Sequence, residues 1–423
     1  MAAGLLAFDG LVVKIDRSAM LEPYVNAFSI LAVLSYLTAL QRERSRMRWL
    51  FAAGALAACA ALVKATGALA LATILLYAVG RLVKALAQSR LPWIRSSEKD
   101  RSKARLAEMG AVLAGAATVP IPLVGYFMVV TPVSFIKQAL LFQLFRPFDG
   151  PPAALERFSQ ILGYDSSHLT LYLSVAGLAI IVLRGLFWAD WGKWGLVLIW
   201  TASILAALAF SRTFYPHYYV QLAVPLSVLA GGLVSRGSAE AEQGSAGVFQ
   251  ERGHSRIILT AQVVVCLFAA LTNWGAAQTQ LVSARDVATP NTTFLREISR
   301  ALSRWTTPTG TVLGFSPAYT LVASRRLVGP GDGQFMIDSF GYMQYISLGM
   351  EDDWLPDSPH PSIMDLLHGE RAQSKIQEIA AQADYILLEP RAAWQLLPTT
   401  IDAMTAGYRL VYTRGKISLW AKE

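Results

Sequence analysis

Lys14-Ile15-Asp16-Arg17-Ser18-Ala19-Met20-Leu21-Glu22-Pro23-Tyr24 leads into an apolar run that lasts to Leu40, and Arg42, Arg44, Arg46 and Arg48 follow. The opening stretch thus puts several charges and a helix-starting proline directly before a segment of membrane-spanning length. A charge that close to lipid needs a functional or topological reason. Lysine and arginine accumulate in short cytoplasmic loops, so the arginine cluster marks the inside and the opening motif lies outside. That motif reads as the rim of a site.

Composition agrees with a membrane class. The 423 residues are 54% hydrophobic and 16% charged, with a mean hydropathy of +0.41, whereas soluble domains carry about 25% charged residues. The net charge of +8 does not point to nucleic acid, because the basic residues sit in loops between apolar runs. Cys59 and Cys266 each lie inside an apolar run, which excludes a disulfide framework and a thiolate metal site. Met1 to Phe8 is apolar but shorter than the roughly 20 residues of a span, and reads as the tail of a helix whose beginning is absent.

Two short apolar runs, Leu50 to Val63 and Gly67 to Gly80, flank Lys64-Ala65-Thr66 and predict either a pair that tilts little in a thinned region or a hairpin whose turn brings Lys64 to the external interface. Arg81 to Glu108 is rich in lysine and arginine and predicts a cytoplasmic loop. Met109 to Val130 crosses outward, kinked at Pro120 and Pro122. The apolar spacing of Phe135, Leu140, Leu141, Leu144 and Phe145 predicts an interfacial amphipathic helix, stopped at Arg146 to Pro152. Further spans are expected at Leu169 to Leu183, Trp194 to Phe210, Val220 to Val234 and Ile257 to Trp274. Between the second and third of these stands a compact external turn, Ser211-Arg212-Thr213-Phe214-Tyr215-Pro216-His217-Tyr218-Tyr219.

After Gln280 the composition becomes that of a water-soluble domain. A helix is expected over 294–305, a buried strand over Thr311 to Phe315, a short one at Leu327-Val328, and a loop at Gly329 to Gly333. Helical patterns at Ile363 to Leu367 and Lys375 to Ala383 precede a strand at Tyr385 to Leu388 and a helix near Thr400 to Thr405. Tyr408 to Thr413 and Lys416 to Trp420 pair as a hairpin through Arg414-Gly415. The fold class is therefore mainly α: a polytopic membrane bundle over 1–280, of about eight spans plus a partial first helix, with an extracytoplasmic α/β domain over 281–423.

Residues 17–23, Arg-Ser-Ala-Met-Leu-Glu-Pro, together with Leu62-Val63-Lys64-Ala65-Thr66-Gly67 and the Arg212 to Tyr219 turn followed by Gln221 and Pro225, carry a resemblance. In that order they resemble motifs of the dolichyl-phosphate-mannose protein mannosyltransferases and the related aminoarabinose transferases, which are GT-C glycosyltransferases. The resemblance implies a polyprenyl-phosphate-linked sugar as donor, an acceptor at the external face, and inversion at the transferred carbon, with a divalent metal as an open question. It implies substrate-binding roles for Arg17, Lys64, Arg212, Tyr215, His217 and Tyr218, and a supporting acidic role for Glu22. It also places the principal catalytic acid in a loop upstream of Met1, where Asp9 and Asp16 do not match, so a fragment or an inactive relative is expected.

The residue types suit that chemistry. Cations stabilise a departing phosphate, and a carboxylate orients a ligand or raises the nucleophilicity of an acceptor hydroxyl. Each residue also has a plainer role: Lys14, Arg17 and Lys64 snorkel, Glu22 starts a helix, and His217 is hydrogen-bonded in a turn. Two other functions compete, a transporter or flippase for a lipid-linked sugar and a non-catalytic membrane scaffold. The expected partners are the bilayer, the lipid-linked donor and an acceptor, at a multi-pass location in the cell membrane.

Overall fold

The structure, a computed structural model, describes residues 21–89, 95–145, 192–210, 218–232, 294–328, 339–350 and 362–423, with isolated positions at 156, 174, 175, 177 and 178. The chain divides into two compact units, Met1–Phe127 with Pro151–Ser283, and Met128–Gly150 with Ala284–Glu423.

In the first unit, α1 (Glu22–Gln41) begins as its sequence dictates. Pro23 supplies a fixed φ in the first turn and Glu22 sets a negative charge against the positive end of the helix dipole. Val25, Ser29, Ala32, Val33, Tyr36 and Ala39 form its buried stripe at helical spacing. Next come α2 (Arg46–Val63), a 3-10 turn (Ala65–Gly67) and α3 (Ala68–Ser89). Both helices flanking Lys64 are longer than the apolar runs read from sequence, and each is long enough to cross a membrane. The stretch 81–108 read as a loop is also largely helical, since α3 runs to Ser89 and α4 (Arg95–Thr118) starts soon after. Lysine, arginine and glutamate are good helix formers, so a charged helical end outside the apolar layer continues the helix and looks like a loop only by polarity.

The expected kink is present: Ser102–Thr118 and α5 (Pro120–Val130) meet at 44°. The unit is completed among the described residues by α6 (Gly192–Phe210) and α7 (Tyr219–Gly232). The expected spans at Leu169 to Leu183 and Ile257 to Trp274 lie wholly or mostly outside the described residues.

Small residues set the helix spacing. A Cβ on Gly54 of α2 would stand 1.9 Å from the Val112 carbonyl oxygen of α4, and one on Gly115 of α4 would stand 2.0 Å from the Phe51 carbonyl oxygen of α2. Each helix therefore offers a glycine to the other's backbone, the close approach that membrane helices use in place of a hydrophobic driving force. Leu31, Leu34, Phe51, Leu76, Val83, Ile121 and Val129 remain exposed, an apolar outer surface that acyl chains cover. This is a membrane protein.

At one end of α2 the buried carboxylate of Glu108 accepts from Arg105 at 2.8 Å and Arg46 at 3.3 Å, and faces Arg81 at 3.6 Å. Arg46 also donates from Nε to the Ala39 carbonyl at 3.2 Å, tying in the end of α1. Four helices are pinned together there. Lys64 stands at the opposite end of α2, whose 18 residues span about 27 Å at the helical rise.

The second unit holds a five-stranded mixed sheet of order β2-β1-β3-β5-β4. Its strands are β1 (Thr311–Gly314), β2 (Arg326–Leu327), β3 (Tyr385–Leu388), β4 (Tyr408–Arg414) and β5 (Ile417–Lys422). β2, β1 and β3 are parallel, while β3, β5 and β4 are antiparallel. Gly415, at φ +57, makes the hairpin turn that the sequence predicted. Strand alternation gives each face its own core: Val312 and Leu387 pack with Ile298 and Leu302 of α8 (294–305), while Leu313, Ile386 and Leu388 pack with Ile376 and Ile379 of a helix on the other face. The segment read as an interfacial helix is helical over Pro132–Phe135 and Phe142–Phe145, with a π turn at Ile136–Leu141 between them. Its Phe142 ring meets Tyr345 edge-on at 6.4 Å, so this segment adds to the core of the second unit.

Candidate active site

The break between α2 and α3 is built by its sequence. Lys64 caps α2 in an extended conformation, with its N–H donating to the Ala60 carbonyl at 3.1 Å. The Gly67 N–H then donates to the Lys64 carbonyl at 2.8 Å and closes the 3-10 turn. A Cβ on Gly67 would stand 2.1 Å from the Ala60 carbonyl oxygen. Only glycine lets the chain fold back this tightly, and the fold-back leaves the Lys64 side chain at the head of α1.

There the Lys64 ammonium donates to Glu22 Oε1 in an ion pair. The Glu22 side chain is 3% exposed and that of Lys64 is 22% exposed, so the pair has a dry side and a wetter one. The Tyr218 ring lies under the same ammonium, 4.1 Å from nitrogen to ring centroid, close enough for a cation–π contact. An ammonium carries three donors. With one on Glu22 and the aromatic face beside it, donor capacity is left for an anionic oxygen on the wetter side.

The neighbouring layer carries polar groups. Gln221 Nε2 donates to Thr66 Oγ1 at 2.8 Å, and Asn26 Nδ2 donates to the Val220 carbonyl at 3.3 Å. Together with Ser29 and Trp200 these residues line a cavity of about 10 Å³, room for about one water molecule. The layer ties α1, the Lys64 turn and α7 to one another. Thr66 and Gln221 stand inside the quoted motifs, but Asn26 carried no sequence signal, since a single amide in an apolar run is read as packing.

Of the seven residues singled out in the sequence, the structure brings Glu22, Lys64 and Tyr218 together. Arg17, Arg212, Tyr215 and His217 lie outside the described residues. Among the described residues, no three histidine, cysteine, aspartate or glutamate side chains gather at one point.

Comparison with known proteins fits this geometry. Residues 1–134 match the family model of dolichyl-phosphate-mannose-protein mannosyltransferases, and that range contains both Glu22 and Lys64. The fold is similar to that of the crystal structure of ArnT from Cupriavidus metallidurans bound to undecaprenyl phosphate, with a TM-score of 0.57 at 14% identity, over 99% of this chain and 78% of that one. The chain has the GT-C fold. No curated protein matches it in sequence. A glycosyltransferase family's sequence pattern thus occupies the first third of a GT-C chain, and Glu22 and Lys64, both inside the matched range, meet in the ion pair described above.

Proposed function

We propose that this chain is a GT-C glycosyltransferase that moves a sugar from a polyprenyl-phosphate carrier to an acceptor on the extracytoplasmic side. One observation carries the reading: Lys64, held by Glu22 and Tyr218, stands at the end of α2 opposite the arginine cluster around Glu108. The separation of about 27 Å is close to the thickness of a hydrocarbon core, about 30 Å. Arginines on the cytoplasmic side leave Lys64 at the outer rim, where a carrier phosphate lies. The bound lipid phosphate named for ArnT supports a carrier of that class.

In the reaction the bond from the anomeric carbon to an oxygen of the carrier phosphate breaks, an acceptor hydroxyl bonds to the opposite face of that carbon, and the hydroxyl proton leaves with the released phosphate. The departing phosphate takes up negative charge, and Lys64 meets it from a weakly polar surrounding where a fixed cation is worth more than in water. Glu22 is committed to Lys64, so its role is to hold and orient the ammonium. Arg17 and Arg212 add positive charge for the same phosphate, and Tyr215, His217 and Tyr218 add groups to the sugar or phosphate. The domain expected from sequence over 281–423 is an outer domain that meets the acceptor.

The test is transfer from radiolabelled polyprenyl-phosphate sugars in membranes containing the full-length protein, with Glu22→Gln and Lys64→Ala beside the wild type. At least a ten-fold loss of transfer is expected in each. Unchanged transfer in both defeats the site assignment, and movement of the labelled lipid across the bilayer without cleavage replaces transfer by transport.

A further inference from the structure

In the second unit the strand order sets a topological switch point. β1 connects to β2 on one side of itself, and the chain then returns to β3 on the other, so the connections part between β1 and β3. In open α/β sheets, ligands bind at the carboxyl ends of the strands where the connections part in this way. Here those ends are Phe315-Ser316 after β1 and Glu389 after β3.

This place holds polar groups that the protein does not satisfy. Glu389 is 3% exposed, and Ser316 donates to its carboxyl group through side chain and backbone, yet Oε1 has no hydrogen-bond partner. Gln395, completely buried, accepts from Ser339 at 3.0 Å through its carbonyl oxygen, and Ser339 also reaches the Phe315 carbonyl at 3.3 Å; Gln395 Nε2 has no partner. Nearby Gln373, also buried, has both ends of its amide used, on Leu367, Gln395 and Leu397. An unmet acceptor and an unmet donor, on two residues that are both bonded around Phe315, form a pattern that a hydroxyl-rich ligand completes, since each hydroxyl both gives and takes a hydrogen bond.

Beside them lies an apolar plate. Trp394, 48% exposed, stacks on Phe340 with centroids 5.3 Å apart and planes at 30°. Trp394 precedes Gln395 and Phe340 follows Ser339, so the ring pair and the hydrogen-bonded pair bridge the same two helices, Pro390–Gln395 and Ser339–Ser347. Sugars present this combination: one face of the ring is a sheet of C–H groups that lies on an aromatic plane, and the edge carries hydroxyls.

We propose that the second unit binds a neutral glycosyl unit at the carboxyl end of β1 and β3, with its ring on Trp394 and Phe340 and its hydroxyls on Glu389 Oε1 and Gln395 Nε2. The short helix Pro390–Gln395 carries Trp394 and Gln395 and directly follows Glu389, so one small shift of it opens the polar pair to a ligand resting on the plate. The binding is independent of Lys64 and of the transfer reaction.

The experiment uses the full chain in nanodiscs, titrated with methyl α-mannoside, methyl α-glucoside and maltotriose by saturation-transfer NMR. Saturable binding with a Kd on the order of 1–10 mM is expected for at least one of them, unchanged in Lys64→Ala and weakened on the order of ten-fold in Glu389→Gln. Trp394→Ala removes an exposed plate without entering the core and is expected to weaken binding comparably, which keeps the test open if Glu389→Gln fails to fold. Absence of saturation up to about 100 mM, far above that range, or equal affinity in wild type and Trp394→Ala, overturns the proposal. Because sugar binding by the second unit and transfer at Lys64 are read by separate assays, failure of one proposal is distinguishable from failure of the other.

Discussion

Replacing Lys64 by Met keeps the packing of the aliphatic stem and deletes the ammonium that donates to the Glu22 carboxylate, whose side chain is 3% exposed. Breaking a buried pair from one side costs about 3–5 kcal/mol. Because the Lys64 side chain is 22% exposed and water reaches that side, the lower end applies, about 3 kcal/mol, or on the order of 5 °C in Tm. Glu22→Gln leaves the ammonium, which can turn to the wetter side and keep the Tyr218 ring, and is expected to cost about 1–2 kcal/mol, the weaker loss of the two because the stranded charge can reach water. The double variant strands no charge and is expected within about 1 kcal/mol of the wild type, a coupling of roughly 3 kcal/mol between the two sites. The assay is thermal unfolding of all four proteins in one detergent, with transfer measured on the same preparations. Stability is recovered in the double variant while transfer stays lost, which separates a structural rivet from a phosphate ligand. A double variant as unstable as Lys64→Met refutes the ion-pair argument, and one that transfers normally refutes the phosphate argument.

Gly54→Ala and Gly115→Ala each drive a methyl into a facing backbone carbonyl and are expected to destabilise the bundle by about 1–3 kcal/mol, read as a lower Tm in detergent. Gly67→Ala meets the Ala60 carbonyl in the same way, shifts Lys64, and is expected to lower transfer more than a conservative change elsewhere in α3. In the second unit two carboxyl groups act on pH stability with opposite sign. Hydrogen bonds from the Thr311 N–H and hydroxyl hold Asp384 below its ordinary range, so its contribution is present above the unfolded-state value near 3.9 and is lost as pH falls through the lowered native value. Burial pushes Glu389 upward, only partly offset by Ser316 and Arg391. The folded state then binds the extra proton, and stability declines as pH rises from the ordinary glutamate value of about 4.3 to the raised one. Unfolding profiles against pH are expected to lose their acid fall in part with Asp384→Asn and to flatten on the alkaline side of that window with Glu389→Gln.

Much of the fold was legible because its signals are local. Pro23 starts α1, Pro120 and Pro122 break the helix where expected, Gly415 turns the terminal hairpin, and Tyr385–Leu388 reads as a strand from four residues alone. Meeting of Glu22 with Lys64 was legible only through motif order, since nothing local ties residues 42 positions apart. Helix ends at 81–89 and 95–108 were hidden because a charged helix projecting beyond lipid has the composition of a loop. Glu108 was hidden for a related reason: one carboxylate among many basic residues looks solvated until three arginines are brought around it. The amide pair of Gln221 and Thr66, and the unmet atoms of Glu389 and Gln395, depend on tertiary neighbours with no sequence periodicity.

Helix α2 is fastened at both extremities, by Glu108 through Arg46 and by Glu22 through Lys64. A rod anchored twice behaves as a gauge: it cannot slide along the membrane normal when lipid tails lengthen or shorten. In thicker or thinner bilayers the lipid has to deform around it, at fractions of a kcal/mol per Å. Under the proposed function, the height of the Lys64 ammonium above the cytosol is therefore a property of the polypeptide, and a carrier phosphate must come to that level whatever membrane surrounds it.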